Sequence, residues 1–369
     1  MSMIRAEEPH PSRSRQQRAL PVGTAALSST VAVRTFEMEP GPPKRVAGRA
    51  ASFVGNFASQ DWLIMGYLAA LLVALAVGGG GGHNRAVCAE RVGWDLAGYL
   101  LVVTMVRLPV VRWDSGVSSL VYRFTILATV LGSFFQLREI LPAVSPWADD
   151  ALIFEVDLRV FGFEPSVWMD RFVSPASTEW FAFFYFFYFL ILTIHVLPMM
   201  LVERDVRILG RFAVGLLLVF LTGHLLYMVV PGWGPYRYLD GTFQHPLVGG
   251  PFWKLVGETV HAGGALKDIF PSLHTAVPTF LAIFSFRHRN VAPFKYTWPV
   301  VAFFATQIII ATMFLRWHYL LDVVAGLALA AASSYVGGRI ADWEYAKRTR
   351  LGLQPAWTPL VYPWERADS

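Results

Sequence analysis

Phe270-Pro271-Ser272-Leu273-His274-Thr275-Ala276 stands directly before a mostly apolar run at 277–286. A proline at that point pre-sets the chain for a first helical turn, and Ser272 offers a capping oxygen. His274 then falls in the first turn of a hydrophobic helix, where unpaired backbone N–H groups favour an anion. A second stretch, Arg316-Trp317-His318-Tyr319-Leu320-Leu321-Asp322, opens another apolar run. His318 and Asp322 stand four apart, so on a helix they share one face. Two histidines, with a carboxylate able to orient one of them, suit covalent phosphoryl transfer.

Around these motifs the chain is built from apolar segments. Its 369 residues are 55% hydrophobic and 15% charged, with a mean hydropathy of +0.46. Apolar runs fall near 62–77, 96–111, 120–135, 180–201, 212–230, 272–286, 298–315 and 318–336. Runs of this length leave no β-strand reading and predict an all-α, polytopic membrane bundle of about eight helices. The expected organisation is a disordered cytoplasmic tail at 1–58, with a surface-lying piece near 46–57 and no secretory h-region, then two N-terminal spans at 59–118. A catalytic core at 119–338 and a polar cytoplasmic tail at 339–369 complete it. The single cysteine, Cys88, excludes an intrachain disulfide and argues against a thiolate metal cluster. A net charge of +5 raises the question of a nucleic-acid partner. The basic residues sit between apolar segments, so they read as topology signals and the expected partner is the bilayer.

Those signals orient the chain. With eight spans both termini share a side, and that side collects Arg204, Arg207, Arg211, Arg287, Arg289 and Lys295 besides the arginines of both tails. The opposite loops carry fewer cations, which predicts cytoplasmic termini. His274, His318 and Asp322 then meet on the exoplasmic side, periplasmic or lumenal. Between 138 and 178 the chain is acidic and aromatic, with Asp149, Asp150, Glu155, Asp157, Glu164 and Asp170 among tryptophans and phenylalanines. That pattern predicts amphipathic pieces at the membrane surface. Arg123 lies near the start of its span, where it can snorkel to the interface. His224, two turns inside its segment, reads as a packing residue or a helix-to-helix hydrogen bond.

Asp322 lies about a turn into an apolar segment, where a carboxylate is costly without a partner. We assign His318 as nucleophile, Asp322 as the group that fixes its tautomer, and His274 as acid–base. A metal held by the two histidines and Asp322 is the alternative. No further histidine or carboxylate stands at ligand spacing in these motifs, so neither metal nor cofactor is expected.

Phe270 to His274 and His318 to Asp322 resemble the second and third signatures of the type 2 phosphatidic acid phosphatase superfamily. The likeness is closer to its inositolphosphotransferase branch, which includes fungal inositol phosphorylceramide synthase. Pro231-Gly232-Trp233-Gly234-Pro235-Tyr236-Arg237-Tyr238 sits where the first signature belongs, and Asp150 to Trp168, with Phe161-Gly162-Phe163, also looks like that branch. The resemblance spans roughly 120–337. It implies a six-helix core, no metal, and His274, His318 and Asp322 as the triad. The phosphatases' Lys-x6-Arg-Pro pattern is missing around Pro231, and their Ser-Arg pair falls on Ala311 and Thr312. Fewer cations suit a singly charged diester better than a monoester. Arg316, Arg237, Lys267 and Ser272 remain as candidates to hold the phosphate. The resemblance implies a phosphotransferase that takes a phospholipid donor and a lipid-alcohol acceptor, with phosphoinositol as the transferred group. A lipid phosphatase using water, and a non-catalytic membrane protein of the same fold, are the alternatives.

Overall fold

The helices form where the apolar runs predict them. A computed structural model describes residues 53–107, 115–263, 266–358 and 360. Most of the N-terminal tail and the end of the C-terminal one lie outside the described residues. In chain order the helices are α1 (Ser59–Val77), α2 (Gly82–Arg107), α3 (Ser115–Val144), α4 (Asp150–Phe161) and α5 (Pro165–Met169). Next come α6 (Pro175–Phe186), α7 (Tyr188–Leu201), α8 (Val206–Val229), α9 (Pro235–Tyr238) and α10 (Pro251–Gly263). The chain closes with α11 (Leu273–Arg287), α12 (Phe294–Phe314) and α13 (Leu320–Leu351). Among the described residues, the β-structure is an isolated parallel bridge between Gly232 and Asp268.

Each of the eight apolar runs carries a helix among its described residues. Among the described residues, six helical stretches are long and apolar enough to cross a membrane: α1, α3, α6 continuing into α7, α8, α12 and α13. The other two fall short for visible reasons. α2 carries Arg85, Glu90, Arg91, Asp95 and Arg107, and α11 has 15 residues. The protein is an all-α membrane bundle.

α8 is its centre and the most deeply buried of the six. It packs against α13, α11, α1, α3 and α7. α11 in turn lies against α12, α13 and α8. α11 starts where Ser272 caps it, its Oγ accepting the Thr275 N–H at 3.2 Å. α13 begins at Leu320 rather than at His318, and it runs on to Leu351, past the point where a polar tail was expected.

The starts of α11 and α13 press together through Gly326. A Cβ there would stand 2.6 Å from the Ser272 carbonyl oxygen and 3.0 Å from the Thr275 Cβ. The obstacle is partly backbone, so it cannot rotate aside. Gly326→Val is therefore expected to push α13 off α11 and destabilise the fold by about 1–3 kcal/mol. Thermal unfolding in detergent measures this, and an unchanged midpoint would refute the close approach.

At the far end of the bundle, three arginines hold the C-terminal segment. Arg107 donates to the Ala356 carbonyl, Arg123 to that of Thr358, and Arg348 to that of Gln354. Arg123 does not snorkel outward: it is buried at 2% exposure and also donates to the Met200 carbonyl. Asp61, in the first turn of α1, is fully buried and paired with Arg107 at 3.0 Å. Trp357 packs against Tyr122 within the core.

Candidate active site

Four connections meet at the other end of the bundle, and backbone hydrogen bonds stitch them together. The Asp149 N–H donates to the Pro231 carbonyl at 2.6 Å, and the Gly232 N–H to that of Lys267 at 3.2 Å. Tyr236 N–H reaches the Arg316 carbonyl at 2.7 Å, and Ser272 N–H that of Asp322 at 3.0 Å. The last bond joins the two sequence motifs directly.

Carboxylates from the acidic stretch hold the loop that carries His318. Asp150, at the start of α4, accepts from the N–H groups of Trp233 (2.9 Å) and Gly234 (2.8 Å), and from the Tyr319 hydroxyl at 3.1 Å. Gly234 is required here twice over. Its φ is +92°, and a Cβ would lie 2.4 Å from the Trp317 carbonyl oxygen. Asp157, two turns along α4, accepts the N–H groups of Leu320 and Leu321 at 2.8 and 2.9 Å, capping α13. Asp170 receives the Arg316 guanidinium at 2.7 Å. Amphipathic pieces were expected here, and α4 does expose Leu152, Leu158 and Val160. Its acidic face points inward, against the His318 loop. Asp150, Ile153 and Asp157 are the buried positions of α4, an i, i+3, i+7 stripe already present in the sequence.

His318 therefore sits in the turn before α13, not on it. Its Nδ1 stands 3.4 Å from Asp322 Oδ2, within ion-pair range but with no hydrogen bond formed. Asp322 is fully buried, and its Oδ2 accepts the Tyr319 N–H at 2.9 Å. Its Oδ1 has no hydrogen-bond partner. Burial pushes the His318 imidazole down to about 4, against the Asp268 charge and a hydrogen bond with the Ile269 backbone. The ring is neutral at pH 7, the form that can act as a nucleophile.

His274 faces it. The two ring centroids are 6.3 Å apart. His274 is stacked on Tyr185 at 4.3 Å with an interplanar angle of 10°, and Tyr188 closes the other contact at 4.3 Å. Its Nε2 is buried and has no hydrogen-bond partner. Asp268 lines the same space, and nothing in the sequence motifs had singled it out. Among the described residues, no group of three or more His, Cys, Asp or Glu is placed to hold a metal ion.

The four phosphate-binding candidates are placed differently. Ser272 is fully buried as the cap of α11. Lys267 gives its ammonium to the carbonyls of Ser145, Pro146 and Trp147 at 3.4, 3.2 and 2.9 Å, which closes the end of α3. Arg316 is tied to Asp170 and the His245 carbonyl beneath the Phe243 ring, with its own φ at +67°. A non-glycine residue persists in that region only where its surroundings over-determine it. Arg316 thus anchors the turn, while Arg237 is exposed and stacks on Trp233 at 3.6 Å.

Both histidines line the mouth of a cavity of about 840 Å³. Its walls are α3, α7 and α8, and Arg123, Met200, Leu209 and Trp357 form its far end. Apart from the histidines and a few other polar side chains the lining is apolar. Leu131 and Phe135 of α3, and Phe189 and Leu197 of α7, line it and are also exposed on the outside of the bundle. The cavity therefore communicates with the lipid-facing surface.

Glu164 supplies a pH test of the carboxylate scaffold. Burial pushes its carboxyl up to about 7, opposed by Ser166 and helped by the Asp157 charge. The folded state keeps the proton between the ordinary value of 4.5 and about 7. Its contribution is complete below the lower value and is lost as pH rises through the upper one. Glu164→Gln, which cannot ionise, is expected to gain several degrees of melting temperature over wild type at pH 8 and little at pH 5. An equal difference at both pH values would contradict the assignment.

Residues 153–336 match the family model described as the PAP2 superfamily. The matched stretch runs from α4 into α13 and contains His274, His318 and Asp322. This region is thus similar to that superfamily, whose members are generally phosphoesterases. No curated protein and no solved structure matches the chain.

Proposed function

We propose that the protein is a lipid phosphotransferase that moves a phospho-headgroup, phosphoinositol in our reading, from a phospholipid to a lipid hydroxyl. The observation that carries this reading is the pair of facing imidazoles at the mouth of an apolar cavity open to the lipid side. In the first half-reaction the His318 nitrogen turned away from Asp322, freed from the Ile269 backbone and with the ring proton held on the Asp322 side, attacks phosphorus. The P–O bond to diacylglycerol breaks, and protonated His274 gives its proton to the departing alkoxide. In the second, an acceptor hydroxyl passes its proton to neutral His274. Its oxygen attacks phosphorus, and the P–N bond breaks. Asp322 stabilises the positive charge on His318 between the two steps. Cytoplasmic termini and an exoplasmic site belong to the same reading.

The cations favour a diester. Arg316 and Lys267 are engaged by protein oxygens, and Asp268 adds a negative charge beside the site. A phosphomonoester brings nearly two charges and would lack partners. Arg237 is the residue we assign to the phosphate. Incubation of the purified protein with labelled phosphatidylinositol, with and without ceramide, tests the reaction. A labelled product that needs the second lipid supports transfer. Release of free phospho-headgroup regardless of acceptor would make the protein a hydrolase.

A further inference from the structure

His224 is a polar group of the cavity that the reaction above does not use. It is fully buried in α8 and is among the residues that bound the cavity. Nδ1 lies 3.1 Å from the Tyr67 hydroxyl on α1, a residue outside the cavity. Nε2 is buried with no hydrogen-bond partner. Phe134, Phe220 and Tyr227 surround the ring. An unpaired polar atom in such apolar surroundings is costly, and native structures rarely keep one without a use.

Its depth gives the use. Tyr227 stands at the reacting end, where its hydroxyl hydrogen-bonds the backbone of Leu273, the neighbour of His274. His224 is three residues back along α8, about 4.5 Å lower on the helix axis. A lipid with its phosphate between His274 and His318 and its chains in the cavity places its head-to-chain linkage at that level. In the arrangement proposed here the Tyr67 hydroxyl donates to Nδ1, which leaves the proton on Nε2. We propose that His224 Nε2–H donates to an acyl carbonyl oxygen of the bound lipid, so that His224 selects acylated lipids. This inference rests on the phosphotransferase reading for the orientation of the lipid.

The test compares three lipids with one phosphoinositol headgroup and equal chain lengths: the diacyl ester, its dialkyl ether analogue, and an N-acyl sphingoid form. Each competes with a fluorescent phospholipid for the full-length protein in detergent. For wild type, at least one carbonyl-bearing lipid should bind about tenfold tighter than the ether, the worth of one buried hydrogen bond. The ester and amide arms show which carbonyl is read. His224→Leu should erase the preference, and His224→Gln, which keeps a donor, should retain part of it. A purely structural histidine would weaken all three lipids alike in His224→Leu. Equal binding of the three lipids to wild type, or no binding of any, overturns the proposal, and neither result depends on the variants folding. Carbonyl preference without phosphoryl transfer would overturn the reaction alone. Transfer without the preference would overturn His224 alone.

Discussion

His318→Ala is expected to lower phosphoryl transfer by about four orders of magnitude or more, because it removes the atom that would form the covalent intermediate. The protein should remain folded. His318 lies in a turn held by its neighbours through Asp150, Asp157 and Asp170, and its own ring forms no hydrogen bond with Asp322. Brief incubation of wild type with headgroup-labelled phospholipid should give an acid-labile, base-stable label on the protein. The variant should give none. His274→Ala should lose less, about 10²–10⁴-fold, as expected for an acid–base group. Label retained in the His318 variant would move the nucleophile elsewhere.

Asp150→Ala should produce the largest loss of stability. The carboxylate is 2% exposed and serves the Trp233 and Gly234 N–H groups together with the Tyr319 hydroxyl. Removing it leaves three polar groups without their shared acceptor, at a cost of about 3–5 kcal/mol by comparison with other broken buried charges. Trp233 and Tyr319 flank the reacting groups, so turnover should fall as well. Asp150→Asn keeps the volume and one acceptor oxygen, and should recover part of the stability. Chemical denaturation in detergent, followed by tryptophan fluorescence, reads both variants. A loss below about 1 kcal/mol, the worth of an ordinary hydrogen bond, would mean that the loop does not depend on Asp150.

The helices were legible because uninterrupted apolar runs leave the backbone no partner but itself in lipid. Ser272 was legible as a cap, since its type and its place before an apolar run define the role. His274, His318 and Asp322 were picked out by residue type and spacing, and the structure gathers them at one end of the bundle. What spacing could not give was the reason. Asp322 reaches His318 by turning back over the first turn of α13, where it also caps Tyr319. The phosphate candidates show the limit of charge as a signal. Arg316 and Lys267 are cations beside the site, but whether a cation faces a ligand or a carbonyl depends on contacts far away in sequence. Asp170 is separated from Arg316 by the whole of α6 to α12, and no local pattern links them. Asp268 was invisible for the same reason.

The segment at 354–358 has a practical consequence for anyone preparing this protein. Trp357 is the stopper at the inner end of the cavity, held in place by arginines that grip the carbonyls of Gln354, Ala356 and Thr358. Trimming the C terminus before that tryptophan, or fusing a tag in its place, would add a second opening at the inner end of a cavity that already opens to the lipid side, and on the phosphotransferase reading would let water in towards the phosphorus. On that reading a shortened chain would favour hydrolysis, and an assay on it would put water in the place of the lipid acceptor.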